Sequence, residues 1–346
     1  MKDMVKLAVV GAGLVGHRHI AAIEKVSGVT LAGVVEPGPT EQSVPVFKNQ
    51  TEMLDAIDVD GVILATPTLM HVAGAMECVD RGIPVLIEKP LAAEAEDARP
   101  LINKAKAKGV PILVGHHRRH NPIIQKAAEL IKGGAIGDVR SAQVTCWFYK
   151  PDDYFEIAPW RKKAGAGPIS VNLVHDVDLM RYFMGEVVTV QAQMAPSRRG
   201  YENEDVAAAV LRFQSGAICT ISVSDSVVSP WSWELTSREY PIYPAMNESC
   251  YLIGGSEGAL SIPDMRIWQH EGGTSWWNPM VATTVTTDNS DPLINQIAHF
   301  GDVIRGECEP LIDGAEGLKT LEIIEAIQQA ATTQRLITLT ETQRTS

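Results

Sequence analysis

The apolar positions of this chain change rhythm about a third of the way along it. At first, short aliphatic runs alternate with amphipathic segments. Val5–Val10 predicts a strand, Leu14–Val26 a helix, and Val29–Glu36 a second strand closed by Pro37-Gly38-Pro39. Gly61–Ala65, Pro84–Ile87 and Val110–Val114 predict three more strands, with helices at Val72–Arg81 and Ala92–Lys108. Strands this short and continuously apolar fit a parallel sheet covered by helices on both faces.

After Asn121-Pro122 the period shortens. A helix at Ile123–Lys132 precedes long alternating runs at Val139–Tyr149, Val187–Met194, Val206–Phe213 and Ala217–Ser224. Shorter runs follow at Ser249–Ile253, Ala259–Ile262 and Arg266–His270. Alternation of this kind predicts half-buried, mostly antiparallel strands. Pro168–Met184 predicts one helix inside the series, and Pro292–Arg305 and Ala315–Gln334 predict two more near the end. Ser229–Asn247, rich in Trp, Pro, Tyr and Ser, reads as a long loop. The expected fold is α/β. Residues 1–122 form a doubly wound parallel sheet. Residues 123–346 form an α+β domain for substrate binding and oligomerisation, with a large, mostly antiparallel open sheet. The C-terminal helices, about residues 292–334, are expected to pack back towards the first domain.

Composition narrows the partners. A length of 346 residues fits two domains. The net charge of −12 argues against nucleic acid, which needs clustered cations. No run approaches the roughly 18 apolar residues of a membrane helix. Met1–Lys6 carries no targeting pattern, so a cytoplasmic location is expected. The five cysteines lie far apart without a CxxC pair or a Cys/His cluster, so they read as reduced thiols and no metal is expected.

The first strand runs into Gly11-Ala12-Gly13-Leu14-Val15-Gly16 and then a helix. In that context GxGxxG is the fingerprint of a Rossmann dinucleotide fold. The first glycine permits the turn, the second lets the backbone approach a pyrophosphate, and the third lets helix pack on strand. Glu36, 20 residues after Gly16, ends the second strand and can accept from the adenosine ribose hydroxyls. With no Arg or Lys immediately after it, NAD is expected rather than NADP.

Two groups carry candidate chemistry. Lys89, in Glu88-Lys89-Pro90 after the fourth strand, can hold a substrate hydroxyl and stabilise its alkoxide. It also reads as a solvated strand-end lysine. His175, in the Pro168–Met184 helix, can take a hydroxyl proton, and Asn172 lies three residues before it on a shared face. A histidine bonded into a domain interface is the alternative. In Gly115-His116-His117-Arg118-Arg119-His120, the first two histidines are expected to face cofactor or substrate and the arginines to form structural ion pairs.

The ordered set GAGLVGHRH, ATPTLMH, EKPL, GHHRRHNP, PWR and GPISVNLVHDVDLMRYFMGE, with PWSWELTSRE and HFGDVIRGECEPL, resembles the Gfo/Idh/MocA family of glucose–fructose and inositol oxidoreductases. The resemblance spans essentially the whole chain. It implies a Rossmann domain followed by an α/β domain whose sheet makes dimer or tetramer contacts. It implies that Lys89 and His175 handle the proton and orient substrate. It implies that Thr66, Thr68, His71, Glu88 and His116 touch the dinucleotide, and that Trp160 and Arg161 reach the nicotinamide end or the substrate. One position departs from it: many members carry Asp four residues before the helix histidine, where this chain has Val171.

The expected reaction is NAD-dependent oxidation of a secondary hydroxyl on a sugar, inositol or related cyclic polyol. The nicotinamide is expected in the cleft between the domains, with Asn172, Tyr154, Trp160, Arg161 and His117 orienting the other hydroxyls. Two alternatives share the fold: an NAD-dependent glycosidase, and a non-catalytic NAD/sugar sensor.

Overall fold

The computed structural model describes residues 4–339. Residues 1–3 and 340–346, the outer ends of the two expected domains, lie outside the described residues. By its internal contacts the chain divides into two units. One runs to Asn121 and includes Ser290–Leu321; the other runs from Pro122 to Asn289 and resumes at Glu322. The helix Pro292–Arg305 thus belongs to the first unit, and the division falls inside the helix Gly314–Thr333.

The first unit is built on a six-stranded parallel sheet of β1 (Val5–Val10), β2 (Val29–Val35), β3 (Val46–Phe47), β4 (Gly61–Leu64), β5 (Val85–Ile87) and β6 (Ile112–Val114). Their order is β3-β2-β1-β4-β5-β6, so the winding direction reverses between β1 and β4. In such sheets ligands bind outside the carboxyl ends of the strands at that reversal. Ala8, Val10, Val62, Leu64, Val85 and Ile87 point to one face, against Ala75, Cys78, Ala98 and Leu101 of two helices. Leu7, Val9, Ile63, Leu86 and Leu113 point to the other, under Ile20 and Ile23 of Leu14–Ile23 and Leu293, Ile297 and Phe300 of Pro292–Arg305. Burying each such aliphatic side chain contributes about 1.5–3 kcal/mol, which is why the strands carry no polar face. Periodicity missed β3 and the helix Gln50–Ala56, capped by Asn49 through the Glu52 amide at 2.9 Å. Both are too short to show a period.

The second unit holds a nine-stranded mixed sheet. Its strands are β7 (Val139–Trp147), β8 (Val187–Pro196), β9 (Glu204–Phe213), β10 (Ile218–Ser224), β11 (Tyr251–Gly255), β12 (Ala259–Ile262), β13 (Arg266–His270), β14 (Met280–Thr284) and β15 (Ile337–Thr338). The order is β14-β13-β12-β11-β7-β10-β9-β8-β15, and only β7 and β10 pair in parallel. Along β9 the alternation is clean: Ala207, Ala209, Leu211 and Phe213 are buried, while Ala208, Val210 and Arg212 are exposed. The buried face packs on Ile124, Ala127 and Ile131 of Pro122–Lys132 and on Leu173, Val177 and Met180 of Leu173–Met184. β14 escaped the sequence reading because all five of its residues are exposed and nothing alternates.

One expected element is divided. The single helix over Pro168–Met184 is instead Pro168–Val171 and Leu173–Met184, interrupted at Asn172, whose φ is −103°. Its apolar spacing continues across the break, so periodicity alone could not reveal it. Among the described residues no helix is long and apolar enough to cross a membrane.

Candidate active site

The turn after β1 is set by its glycines. Gly11 has φ +92°, and a Cβ there would lie 2.7 Å from the Ala65 carbonyl oxygen. A Cβ on Gly16 would lie 1.9 Å from the Gly11 oxygen, whereas one on Gly13 would meet nothing within 4 Å. The turn is therefore closed where chain meets chain and open where a pyrophosphate would approach. Gly13 begins the helix Leu14–Ile23 without a side-chain cap, leaving the first amides to a ligand. Leu14 and Val15 beyond β1, and Leu69 and Met70 beyond β4, are large apolar side chains left exposed, the kind of surface a bound dinucleotide covers. The buried Thr66 hydroxyl, also beyond β4, has no hydrogen-bond partner.

Glu36 ends β2 beside this turn. Its carboxylate accepts from the Gly38 amide at 3.0 Å and the Ala12 amide at 2.9 Å. Those two bonds hold its carboxyl below the usual range. An ionised Glu36 repels a 2′-phosphate and suits NAD. The sequence reading found no cation next to Glu36, but pairing of β3 with β2 brings one close. Lys48 donates to the Pro37 carbonyl at 3.2 Å. These residues fit the dinucleotide that the fold implies.

The Glu88-Lys89-Pro90 segment follows β5. Glu88 is 8% exposed. One carboxylate oxygen accepts from His19 Nε2 at 2.7 Å, and the other accepts from the Lys89 amide at 3.1 Å. Burial opposes its ionisation, yet the His19 bond and the charges of His19, His117 and Lys89 bring its pKa down to about 2. Gly115 leaves room for it, since a Cβ there would meet the Glu88 Cα at 3.0 Å. The Lys89–Pro90 peptide is cis. His71, 1% exposed, faces the Pro90 oxygen through Nδ1 and the Thr66 oxygen through Nε2, both at 2.9 Å. Thr68 lies in the short turn Thr68–Met70, His116 is buried after β6, and His117 opens the turn His117–His120. Arg119 pairs with Glu316 at 3.7 Å, the structural role expected of it.

The second unit holds the remaining candidates. Asn172 and His175 are 8% and 7% exposed, and the His175 amide donates to the Asn172 carbonyl at 3.2 Å. The Asn172 side-chain oxygen is buried without a hydrogen-bond partner. Asp176, placed away from the His175 face by helical spacing, accepts from the Tyr251 hydroxyl. Tyr154 and Arg161 form one cluster, with the guanidinium 4.0 Å from the ring centroid and donating to the Tyr154 carbonyl at 2.7 Å. Trp160 stands 57% exposed nearby, its ring 5.7 Å from the same guanidinium.

Sequence reasoning missed what lies behind these residues. His19 stands at the end of GAGLVGHRH. Its partner is 69 positions away, and no local signal announces the pair. Beneath Tyr154 sits a buried ion network. Arg199 donates to Asp225 at 2.8 Å, and the Lys150 ammonium lies 3.6 Å from the same carboxylate and 5.1 Å from the Tyr154 ring. Burial lowers the Lys150 pKa against the pull of Asp225. No group of three or more candidate metal ligands occurs among the described residues.

Residues 5–116 match an oxidoreductase family described as an NAD-binding Rossmann fold, and residues 124–261 match the GFO/IDH/MocA C-terminal domain. The scyllo-inositol 2-dehydrogenase (NAD(+)) of Bacillus subtilis is 25% identical over 342 residues, covering 93% of each chain. The 4-carboxy-2-hydroxymuconate-6-semialdehyde dehydrogenase of a Sphingobium species is 29% identical over 238 residues, 64% of this chain and 72% of that one. The WlbA dehydrogenase of Bordetella pertussis, solved with NADH and UDP-GlcNAcA, superposes with a TM-score of 0.78 at 26% identity, over 97% of this chain and 99% of that one. The glycine turn, the carboxylate ending β2 and both domain matches agree: the chain belongs to the Gfo/Idh/MocA family and is an NAD-binding oxidoreductase.

Proposed function

We propose that the enzyme oxidises a secondary hydroxyl of a sugar, inositol or related cyclic polyol. NAD, when bound, supplies the hydride acceptor. Lys89 donates a hydrogen bond to the reacting hydroxyl and stabilises the negative charge that develops on its oxygen. His175 takes the hydroxyl proton, so the carbon loses a hydride, the oxygen loses a proton, and a carbonyl remains. Arg161, Tyr154, Trp160 and His117 orient the other hydroxyls, and an indole face such as that of Trp160 can cover the C–H side of a sugar ring.

The observation that carries this reading is the Asn172 side-chain oxygen, buried and without a partner one turn before His175. A buried acceptor left unsatisfied costs about 1–3 kcal/mol, and a substrate hydroxyl is the donor that relieves it. The relatives named inositol 2-dehydrogenase support the same class. A panel of inositols, aldoses and sugar acids with NAD, followed by NADH absorbance, tests it. Turnover of at least one cyclic polyhydroxylated compound is expected; NADH formation only with acyclic aldehydes would replace the substrate class.

The proposed partner is a second copy, forming a homodimer or homotetramer through the open face of the larger sheet, where Ala208, Val210, Ile218 and Leu252 stand exposed. Light scattering checks this, and a monomer at micromolar concentration would refute it. The proposed compartment is the cytoplasm, where five cysteines outside any disulfide, four of them buried, stay reduced.

A further inference from the structure

Two buried histidines grip the chain on either side of Lys89. His19, from the helix that opens the glycine turn, is 0% exposed and donates through Nε2 to Glu88 at 2.7 Å. The second oxygen of that carboxylate accepts from the Lys89 amide at 3.1 Å. His71, first residue of the helix His71–Asp80, faces the carbonyl of the next residue, Pro90, at 2.9 Å. Its other nitrogen lies 2.9 Å from the Thr66 carbonyl in the turn after β4. Carbonyl oxygens only accept, so a neutral His71 ring donates to one of the two at a time and only a doubly protonated ring donates to both. Both ring nitrogens of His71 are engaged with backbone, which leaves neither to read a ligand.

We propose that His19 and His71 are positioning residues that fix the backbone before and after Lys89 and so set where its ammonium group reaches. His19 belongs to the helix of the glycine turn, and His71 holds the turn that carries Thr66. The same bonds therefore tie Lys89 to both loops that meet the dinucleotide at the reversal of the sheet. Two regions far from Lys89 in sequence, the helix of His19 and the turn of Thr66, are held to the segment that carries it; replacing His19 loses its one bond to Glu88, and replacing His71 loses its contacts with Pro90 and Thr66. The role rests on Lys89 acting on substrate oxygen, as proposed above.

The test compares His19→Leu and His71→Leu with His19→Gln and His71→Gln, which keep an N–H donor. Kinetics are run on the NAD-loaded enzyme with the fastest compound of the panel. Each Leu variant is expected to lose kcat by on the order of 10–100-fold, the effect of roughly an ångström of misplacement, with KM and the NAD dissociation constant within about threefold. The Gln variants recover most of the loss. Added to Lys89→Met, His71→Leu costs nothing further.

A second arm needs no turnover: reductive methylation of Lys89 on the holoenzyme, read by peptide mass spectrometry. The Leu variants are expected to change the labelling rate of Lys89 and of no other lysine. His19→Leu strips a buried carboxylate of its partner, so His19→Leu with Glu88→Gln replaces it if the single variant does not fold. Wild-type kcat and labelling in the Leu variants overturn the proposal. So does a loss confined to NAD affinity, or a full additional loss on top of Lys89→Met. Full activity in Lys89→Met alone defeats the role of Lys89 instead, and the labelling arm still judges the clamp.

Discussion

Under the proposed function, the dinucleotide turn of the first unit and the Asn172–His175 segment of the second would make their chemistry in opposite ways. At the turn the working groups are backbone amides, and side chains matter mostly by their absence, as at Gly11, Gly13 and Gly16. Around Asn172, where one helix ends and the next begins, the proposed groups are side chains held by a buried surround that includes Asp176, bonded to Tyr251. A backbone site tolerates almost any side chain that keeps clear of it. A side-chain site tolerates almost any backbone that delivers the right atoms. The first is broken by adding a carbon, the second by removing a polar atom.

The largest effect on cofactor binding is expected at the turn. Gly16→Ala places a methyl where only 1.9 Å separates it from the Gly11 oxygen. Overpacking of this kind costs about 1–3 kcal/mol. If that cost falls on the bound state, NAD affinity drops by about 5- to 150-fold, measurable by titration calorimetry. Unchanged affinity would show that the turn does not bind through its backbone.

The next effect sharpens the contrast by pH. The Glu88 carboxyl is held at about 2, below its ordinary value of 4.5. A depressed carboxyl stabilises the fold above its ordinary pKa, and that stability is lost as pH falls from about 4.5 towards about 2. The span corresponds to on the order of 3 kcal/mol. Glu88→Gln is expected to flatten that part of the pH–stability curve followed by thermal melting. A wild-type acid limb in the variant would remove Glu88 from the account.

The smallest effect separates binding from stability at Asn172. Asn172→Leu removes an unpaired buried acceptor, so the melting temperature is expected to hold or rise. The loss of one substrate hydrogen bond, about 1 kcal/mol, raises KM about fivefold. A fall in melting temperature with KM unchanged would make Asn172 a structural residue.

The same contrast explains what the sequence could disclose. Gly11 to Gly16 and Glu36 act through local geometry, so spacing along the chain reveals them, and the strands around them announce the sheet. The open sheet was legible for a similar reason, because one buried face imposes alternation on β9 and its neighbours. Contacts made at long range were not legible. Lys48 reaches the Glu36 turn only through pairing of β3 with β2, and His19 meets Glu88 across 69 positions. The network of Lys150, Arg199 and Asp225, just past the ends of β7, β8 and β10, exists only once those strands are assembled. The break at Asn172 is invisible to periodicity because the apolar spacing runs through it.

The central claim is that Lys89 and His175 act on one substrate oxygen, and a kinetic double-mutant cycle tests it most directly. Lys89→Met and His175→Ala are each expected to lower kcat/KM by about 10²–10⁴-fold while leaving NAD affinity within a few-fold. The double variant should be little worse than the poorer single one, as for residues that work as a unit. A double variant whose loss equals the product of the two single losses, or a Lys89→Met enzyme with full turnover, would contradict the account.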